Sequence, residues 1–386
     1  MMQFEIGFGT LAAAALLGGH LASVVLAWPR SGHRRHRVQP DTSLDLTILR
    51  PLCGVEAYSE ATLRSTFELE GTGIRLLFCV ANAGDPVVPL VRQIMAEYPH
   101  TDAELLIGNE QINANPKLNN LIKGWQRVAS EWVAFVDCNV MLPPDAIARL
   151  RECWDERCGM VCSPPIGGLC TNPAAELEAA CLNGYQARWQ LAAAQVGLGF
   201  AQGKVMFFRR DLLMRVGGLK ALASEPAEDA AATKVVRAAG LAVRLVAHPF
   251  EQPLGSKRLV DVWKRQLRWA QLRRATFPEF FYLEILTSAV LPLALLSPNL
   301  ATLPGFVLPL FLALWYGGEM ALVARCGWGK ALRSLPLAMA RDLLIVPVWV
   351  TAICRNKFEW QGHAMSVDDL GIASYEERQS VNWQSQ

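Results

Sequence analysis

Charge is scarce in this chain. Asp, Glu, Lys and Arg make up 19% of 386 residues, and 37 basic against 35 acidic side chains leave a formal net charge of only +2. So small an excess gives no electrostatic footprint for nucleic acid. Nor does any G-x-G-x-x-G follow the first apolar run, which disfavours a dinucleotide fold of the dehydrogenase kind. The ten cysteines form no zinc module: Cys153, Cys158, Cys162 and Cys170 are spaced by 5, 4 and 8 positions. A chain this long does not need a disulfide scaffold, so they read as reduced, buried, small hydrophobes.

Ile6 to Pro29 has no Asp, Glu, Lys or Arg, and His20 is its one notable polar interruption. That stretch suffices for about 30 Å of hydrocarbon. No basic segment precedes it and no small-x-small site follows, so it reads as an uncleaved anchor. Arg30, Arg34, Arg35 and Arg37 come next and place the following residues in the cytoplasm by the positive-inside rule. Ile285 to Gly318 is again without charge and carries Pro292, Pro298, Pro304 and Pro309. Its length allows two short passes or a hairpin. A last apolar stretch ends at Cys354 and spans only if counted from Ser334, where Arg341 and Asp342 are costly in lipid.

Between these ends the pattern alternates. Strands are predicted over 44–50, 74–81, 103–107, 133–136, 160–162, 204–209 and 241–247. Helices are predicted over 59–68, 87–98, 116–129, 143–156, 176–195, 228–238 and 259–274. Alternation of this kind predicts an α/β fold with a mostly parallel sheet. In such sheets ligands bind at the C-terminal strand edge. The run Val133-Ala-Phe-Val-Asp137-Cys-Asn139 delivers a carboxylate there, and side chains two apart leave a strand on one face. Asp137 and Asn139 are thus candidate ligands of one divalent cation, Mg2+ or Mn2+, which in turn would hold a diphosphate. The plain alternative is a solvated strand-end Asp and a turn Asn.

Four features stand in order: Asp85 in the loop Asn82-Ala-Gly-Asp85, Asp137 with Asn139, Glu228-Asp229, and Arg265-Gln-Leu-Arg268-Trp269. They resemble a glycosyltransferase of the processive type with a GT-A fold, in which acidic sites precede a (Q/R)xxRW box. Asn115-Pro-Lys-Leu-Asn-Asn-Leu121, Val216-Gly-Gly-Leu219, Ala227-Glu-Asp229 and Gln266-Leu-Arg-Trp-Ala-Gln-Leu-Arg273 narrow the likeness to the ceramide glucosyltransferase family, over about Thr47 to Phe277. The resemblance implies a UDP-hexose donor, UDP-glucose first, and a membrane lipid acceptor, ceramide or diacylglycerol. It assigns Asp85 and Lys117 to the donor nucleotide side and Asp137 to the diphosphate through the metal. Asp229 becomes the general base, and Arg265, Arg268 and Trp269 hold the diphosphate or the acceptor. Transfer through one base implies inversion at the anomeric carbon. One departure stands out: the family commonly has Asp-Ser-Asp or Asp-Ser-Gly where this chain has Asp137-Cys138-Asn139, a weaker metal set.

The organisation expected on this basis is a transmembrane anchor at 1–29, a basic linker at 30–43 and a catalytic domain at 44–257. An interfacial helix with the arginine box follows at 258–282, then a membrane region of two to three segments at 283–354 and a polar tail at 355–386. A polysaccharide synthase shares these acids and the box but needs several more spans for a pore. A degenerate scaffold is the non-enzyme alternative, with Asn139 its best support.

Overall fold

The computed structural model describes residues 7–28, 43–301, 303–329, 331–360 and 363–366. The arginine-rich linker behind the orientation argument and most of the tail lie outside the described residues.

Helix α1 (Phe8–Ala27) comes first, then β1 (Ser43–Leu52), α2 (Ser59–Phe67), β2 (Thr72–Val80), α3 (Val87–Glu97), β3 (Ala103–Ile107), α4 (Pro116–Trp125) and β4 (Trp132–Val136). Asn115 caps α4, its side-chain oxygen accepting from the Lys117 and Leu118 amides at 2.9 and 3.2 Å, and Pro116 fits the first helical position. The chain continues through α5 (Ala146–Glu152), β5 (Cys158–Ser163) and β6 (Ile166–Cys170). Helix α6 (Pro173–Ala180) then runs through a π-helical stretch, Cys181–Ala187, into α7 (Arg188–Gln195). The sequence gives one long helix there but not its π segment, a form often found at functional sites. β7 (Val205–Arg209), α8 (Arg210–Met214), α9 (Glu228–Ala238), β8 (Ala242–Leu245) and β9 (Glu251–Gly255) complete this part.

Seven strands form one sheet in the order β3-β2-β1-β4-β7-β5-β8. All neighbours are parallel except β7, which is antiparallel to both β4 and β5. The sheet is mostly parallel, as the sequence predicts. Alternation along the strands fills two cores: Ile48, Phe78, Ala134 and Phe207 face one layer of helices, and Leu49, Leu77, Phe135 and Phe208 face the other. β6 and β9 form a separate parallel pair that the sequence reading misses. Gly167, Gly168 and Pro253 rob these strands of the alternation that marks a strand.

The C-terminal part holds α10 (Leu259–Thr276), α11 (Pro278–Leu283), α12 (Val290–Leu296), α13 (Val307–Cys326) and α14 (Ala331–Cys354), then the hairpin of β10 (Lys357–Trp360) and β11 (His363–Ser366). Phe8–Ala27, Val307–Cys326 and Arg333–Cys354 are each long and apolar enough to cross a membrane. Pro278–Thr287 and Val290–Leu296, bent by 56°, add a fourth if they count as one broken span.

Several buried polar groups in these helices are paired. Arg341 binds Glu319 at 2.5 and 3.0 Å and Asp342 at 2.7 Å, and the other Asp342 oxygen accepts from the Ala289 amide and the Tyr316 hydroxyl, both at 3.1 Å. The cost foreseen for Arg341 and Asp342 in lipid is thus met by mutual pairing. Gly184 makes room for this knot, because a Cβ there would lie 2.2 Å from the Glu319 carboxylate. His20 stacks on Trp315 with ring centroids 3.9 Å apart, and its Nε2–H donates to the Trp315 carbonyl at 2.9 Å. Arg188 reaches the other ring nitrogen and the Ser23 hydroxyl, which ties α7 to α1.

Arg341→Leu strands two buried carboxylates, and a loss of about 3–5 kcal/mol is expected. Thermal unfolding in detergent should show it, and the neutral combination Glu319→Gln, Arg341→Leu, Asp342→Asn should recover most of the melting temperature.

Candidate active site

The site begins with the reversed strand. β7 runs against β4 with Val205 opposite Val136, so the residues just before β7 lie beside those just after β4. The Asp137 amide donates to the Lys204 carbonyl at 2.9 Å. The Lys204 ammonium then sits 2.9 Å from one Asp137 carboxylate oxygen and 3.2 Å from the Asn139 side-chain oxygen. Asp137 and Asn139 therefore converge on one position, as their spacing predicts, and a lysine occupies it.

The second Asp137 oxygen binds the Lys117 ammonium at 2.6 Å. Lys117 also binds Glu228 at 2.6 Å and donates to the Gly203 carbonyl at 2.7 Å. Asn115 completes the grip, its side-chain amide donating to Glu228 at 2.8 Å. The capping residue of α4 thereby joins α4 to the N-terminus of α9. Burial alone would push the Asp137 carboxyl up, but the two ammonium groups outweigh it and hold it at about 2. Lys117 is likewise held above its ordinary value, its two carboxylates overcoming the cost of burial.

Asp229 differs. Its carboxylate accepts from the Ala230 amide at 2.8 Å, and no ion pair to it is seen among the described residues. Burial and then the neighbouring Glu228 charge raise it to about 7, with Lys117 pulling the other way. Gly203, in the left-handed region at φ 66°, lets the chain pass: a Cβ there would lie 3.0 Å from Asp229 Oδ2. Two adjacent acids thus have separate chemistry. Glu228 is committed to lysine, while Asp229 is poised to take a proton near neutral pH.

Arg50 of β1, 1% exposed, sets the loop that carries Asp137. Its guanidinium donates to the carbonyls of Asp137, Cys138 and Val140 at 2.9, 3.1 and 2.9 Å, to the Thr62 carbonyl at 2.6 Å and to the Thr66 hydroxyl. No sequence motif marks it. Asp85 accepts from the Gly54 amide at 3.0 Å and from the Val87 amide at 2.9 Å, tying the loop after β1 to the start of α3. Between that loop and the end of β9 lies a cleft of about 210 Å³, walled by Gly54, Glu56, Tyr58, Asn139, Leu254 and Lys257.

The arginine box lies on α10. Arg265 is bound to Glu178 of α6, a buried acid the sequence reading does not single out. Trp269 packs against Ala175, Leu182 and Leu254, the last also a wall of the cleft. Arg268 is lowered to about 10 by burial and the adjacent Arg265, and it feels the charges of Glu178 and Asp137. On its other face α10 packs Trp263, Leu267 and Ala270 against Val348 and Ala352 of α14. Gln271 and Arg274 donate to the Arg355 and Ile353 carbonyls, which α14 leaves open at its end.

Among the described residues no three His, Cys, Asp or Glu side chains converge as a metal set. The Asp137–Asn139 pair still fits a cation, because the Lys204 ammonium stands in its place. A divalent ion there must exchange with that ammonium.

The model described as Glycosyl transferase family 21 matches residues 12–373. The chain is 24% identical over 274 residues to ceramide glucosyltransferase 1 of Caenorhabditis elegans, covering 70% of this chain and 59% of that protein's length. It is 22% identical over 351 residues to ceramide glucosyltransferase 3 of the same organism, covering 88% and 76%. Among solved structures, mannosyltransferase PcManGT of Pyrobaculum calidifontis, in complex with GDP-Man and Mn2+, matches with a TM-score of 0.51 at 18% identity, over 89% of this chain and 98% of that one. That likeness shows the GT-A fold.

Arg50→Met removes the donor that fixes the Asp137 loop and leaves several buried carbonyls unpaired, a loss of about 3 kcal/mol or more. Arg50→Lys restores only part of it, since an ammonium has three donors against five. Denaturation midpoints of the two variants check this order.

Proposed function

The chain belongs to glycosyl transferase family 21, and from that premise we propose that it moves glucose from UDP-glucose to the primary hydroxyl of ceramide, with the anomeric centre inverted. The observation that carries this reading is the bridge of Lys117 between Asp137 and Glu228, with Asp229 beside it raised to about 7.

The roles follow from charge and reach. The donor's diphosphate lies at the edge beside Asp137 and the 210 Å³ cleft, with the nucleotide toward the loop that Asp85 holds. Asp229 takes the proton of the lipid hydroxyl as its oxygen attacks the anomeric carbon. The bond from that carbon to the diphosphate oxygen breaks, and the nucleoside diphosphate leaves with one more negative charge. Arg268 and the two lysines lie where that charge appears, and fixed cations in a site of low dielectric are worth most there. A divalent ion, Mg2+ or Mn2+, would be held by Asp137 and Asn139 only on displacing the Lys204 ammonium, and would then supply Lewis-acid assistance to the diphosphate.

The acceptor's access is argued from the flanks. α10 carries the box on one side and is packed on α14, a candidate span, on the other. The next helix exposes Phe280, Tyr282 and Leu283. Large apolar groups of this kind suit a bilayer surface, so that a lipid hydroxyl meets Asp229 without its chains leaving the membrane. The catalytic part then faces the cytoplasm, where nucleotide sugars are made.

Membranes bearing the protein, given labelled UDP-glucose or UDP-galactose with ceramide and diacylglycerol, test donor and acceptor together. Glucosylceramide of anomeric configuration opposite to the donor is the expected product; a retained configuration would remove the single-base mechanism.

Asp229→Asn should lower transfer by about 10²–10⁴-fold while the protein still folds. For the wild type, kcat/KM should rise with pH through a midpoint near 7, as the base loses its proton. The same raised value has a stability cost of definite sign. The folded state holds this proton more tightly than the unfolded chain, so the penalty is absent below about pH 4 and complete above about pH 7. Asp229→Asn is therefore expected to melt higher than the wild type at pH 8, with the gap closing toward pH 4.

A further inference from the structure

Lys204 has no part in any motif that points to the chemistry, yet it sits at the centre of the site. It directly precedes β7, its carbonyl accepts from the Asp137 amide, and its side chain is 11% exposed. Its ammonium spans the Asp137 carboxylate and the Asn139 amide oxygen, the two groups whose spacing predicts a divalent-ion position. The ion pairs balance locally. Asp137 and Glu228 bring two negative charges, and Lys117 and Lys204 bring two positive ones. Lys117 is divided between both acids and also donates to the Gly203 carbonyl. Lys204 spends two of its three N–H donors on Asp137 and Asn139, which leaves one for a phosphate oxygen. Asn139 is itself a wall of the cleft, so that position borders open space.

The neutral Asn139 bears on the same point. With one carboxylate and one amide, the pair is a poor chelate for a divalent ion, and such an ion would sit against an ammonium that must first leave. For a single positive charge the same two oxygens are well matched. We propose that Lys204 is the resident counter-ion of the donor diphosphate: it fills the cation position between Asp137 and Asn139, so a nucleoside diphosphate binds without a divalent ion, and an added divalent ion competes with this lysine for that position. The proposal rests on the donor assignment above for its diphosphate half; the competition for the cation position stands apart from it.

The test uses the full chain purified in detergent, with two readouts. Calorimetric titration with UDP is run in EDTA and in Mn2+, and binding of Mn2+ alone is followed by electron paramagnetic resonance. The wild type should bind UDP in EDTA within about threefold of its affinity in Mn2+. Lys204→Met should lose about tenfold or more in EDTA and regain it in Mn2+. Without nucleotide, Mn2+ should bind Lys204→Met about tenfold tighter than the wild type, because its competitor is gone. If methionine does not fold, Lys204→Gln makes the same comparison, since it keeps N–H donors and drops the charge. Wild-type UDP binding that vanishes in EDTA, or Mn2+ affinity unchanged by the substitution, overturns the proposal. UDP that binds in neither buffer overturns the donor reading instead, and the Mn2+ comparison alone then decides who holds the cation position.

Discussion

Two carboxylates on either side of one buried ammonium hold this site together. Lys117 lies between Asp137 at the end of β4 and Glu228 at the start of α9, 2.6 Å from each. Remove that ammonium and two acids face each other in a place with little water to screen them. The pairing fixes the sheet edge relative to α9 and thereby fixes where Asp229 stands. It also divides two neighbouring acids into one that is neutralised and one that exchanges its proton near neutral pH, a division no single residue type dictates.

The same principle recurs in the helices that suit a membrane. The knot of Glu319, Arg341 and Asp342, the His20–Trp315 stack and the Arg188 contacts all satisfy polar groups where lipid offers no partner. These contacts also join the spans to the catalytic part. Arg188 follows directly on the π-helical stretch, and α10 is bolted to α14 by apolar packing on one side while it presents the arginine box on the other. A change in how the spans pack would be felt at Arg268 through one rigid helix.

The likeness to solved structures reaches the fold, and the family match reaches the class of chemistry. Between them lies the detail that makes this chain particular. Where the family it resembles commonly has Asp-Ser-Asp or Asp-Ser-Gly, this chain has Asp137-Cys138-Asn139, and Lys204, just before β7, reaches Asn139.

Much was legible from the residues alone. Asp137 stands at the end of a five-residue apolar run, Asn115 and Pro116 open α4, and Glu228-Asp229 opens α9, because each signal is local: periodicity, a cap, an acidic first turn. The strand order, the reversal of β7 and the pairing of β6 with β9 were not legible, since sequence periodicity carries no direction and glycine-rich strands carry little periodicity. So the order of acids and arginines along the chain pointed to the class of enzyme, and to Asp137, Lys117 and Asp229, which the fold brings together. Only the tertiary structure decided that Lys204 and Arg50, 67 and 87 positions from Asp137, join Lys117 in supporting it. Contacts across that separation depend on which strands lie side by side and in which direction, and that is settled by the packing of the whole sheet.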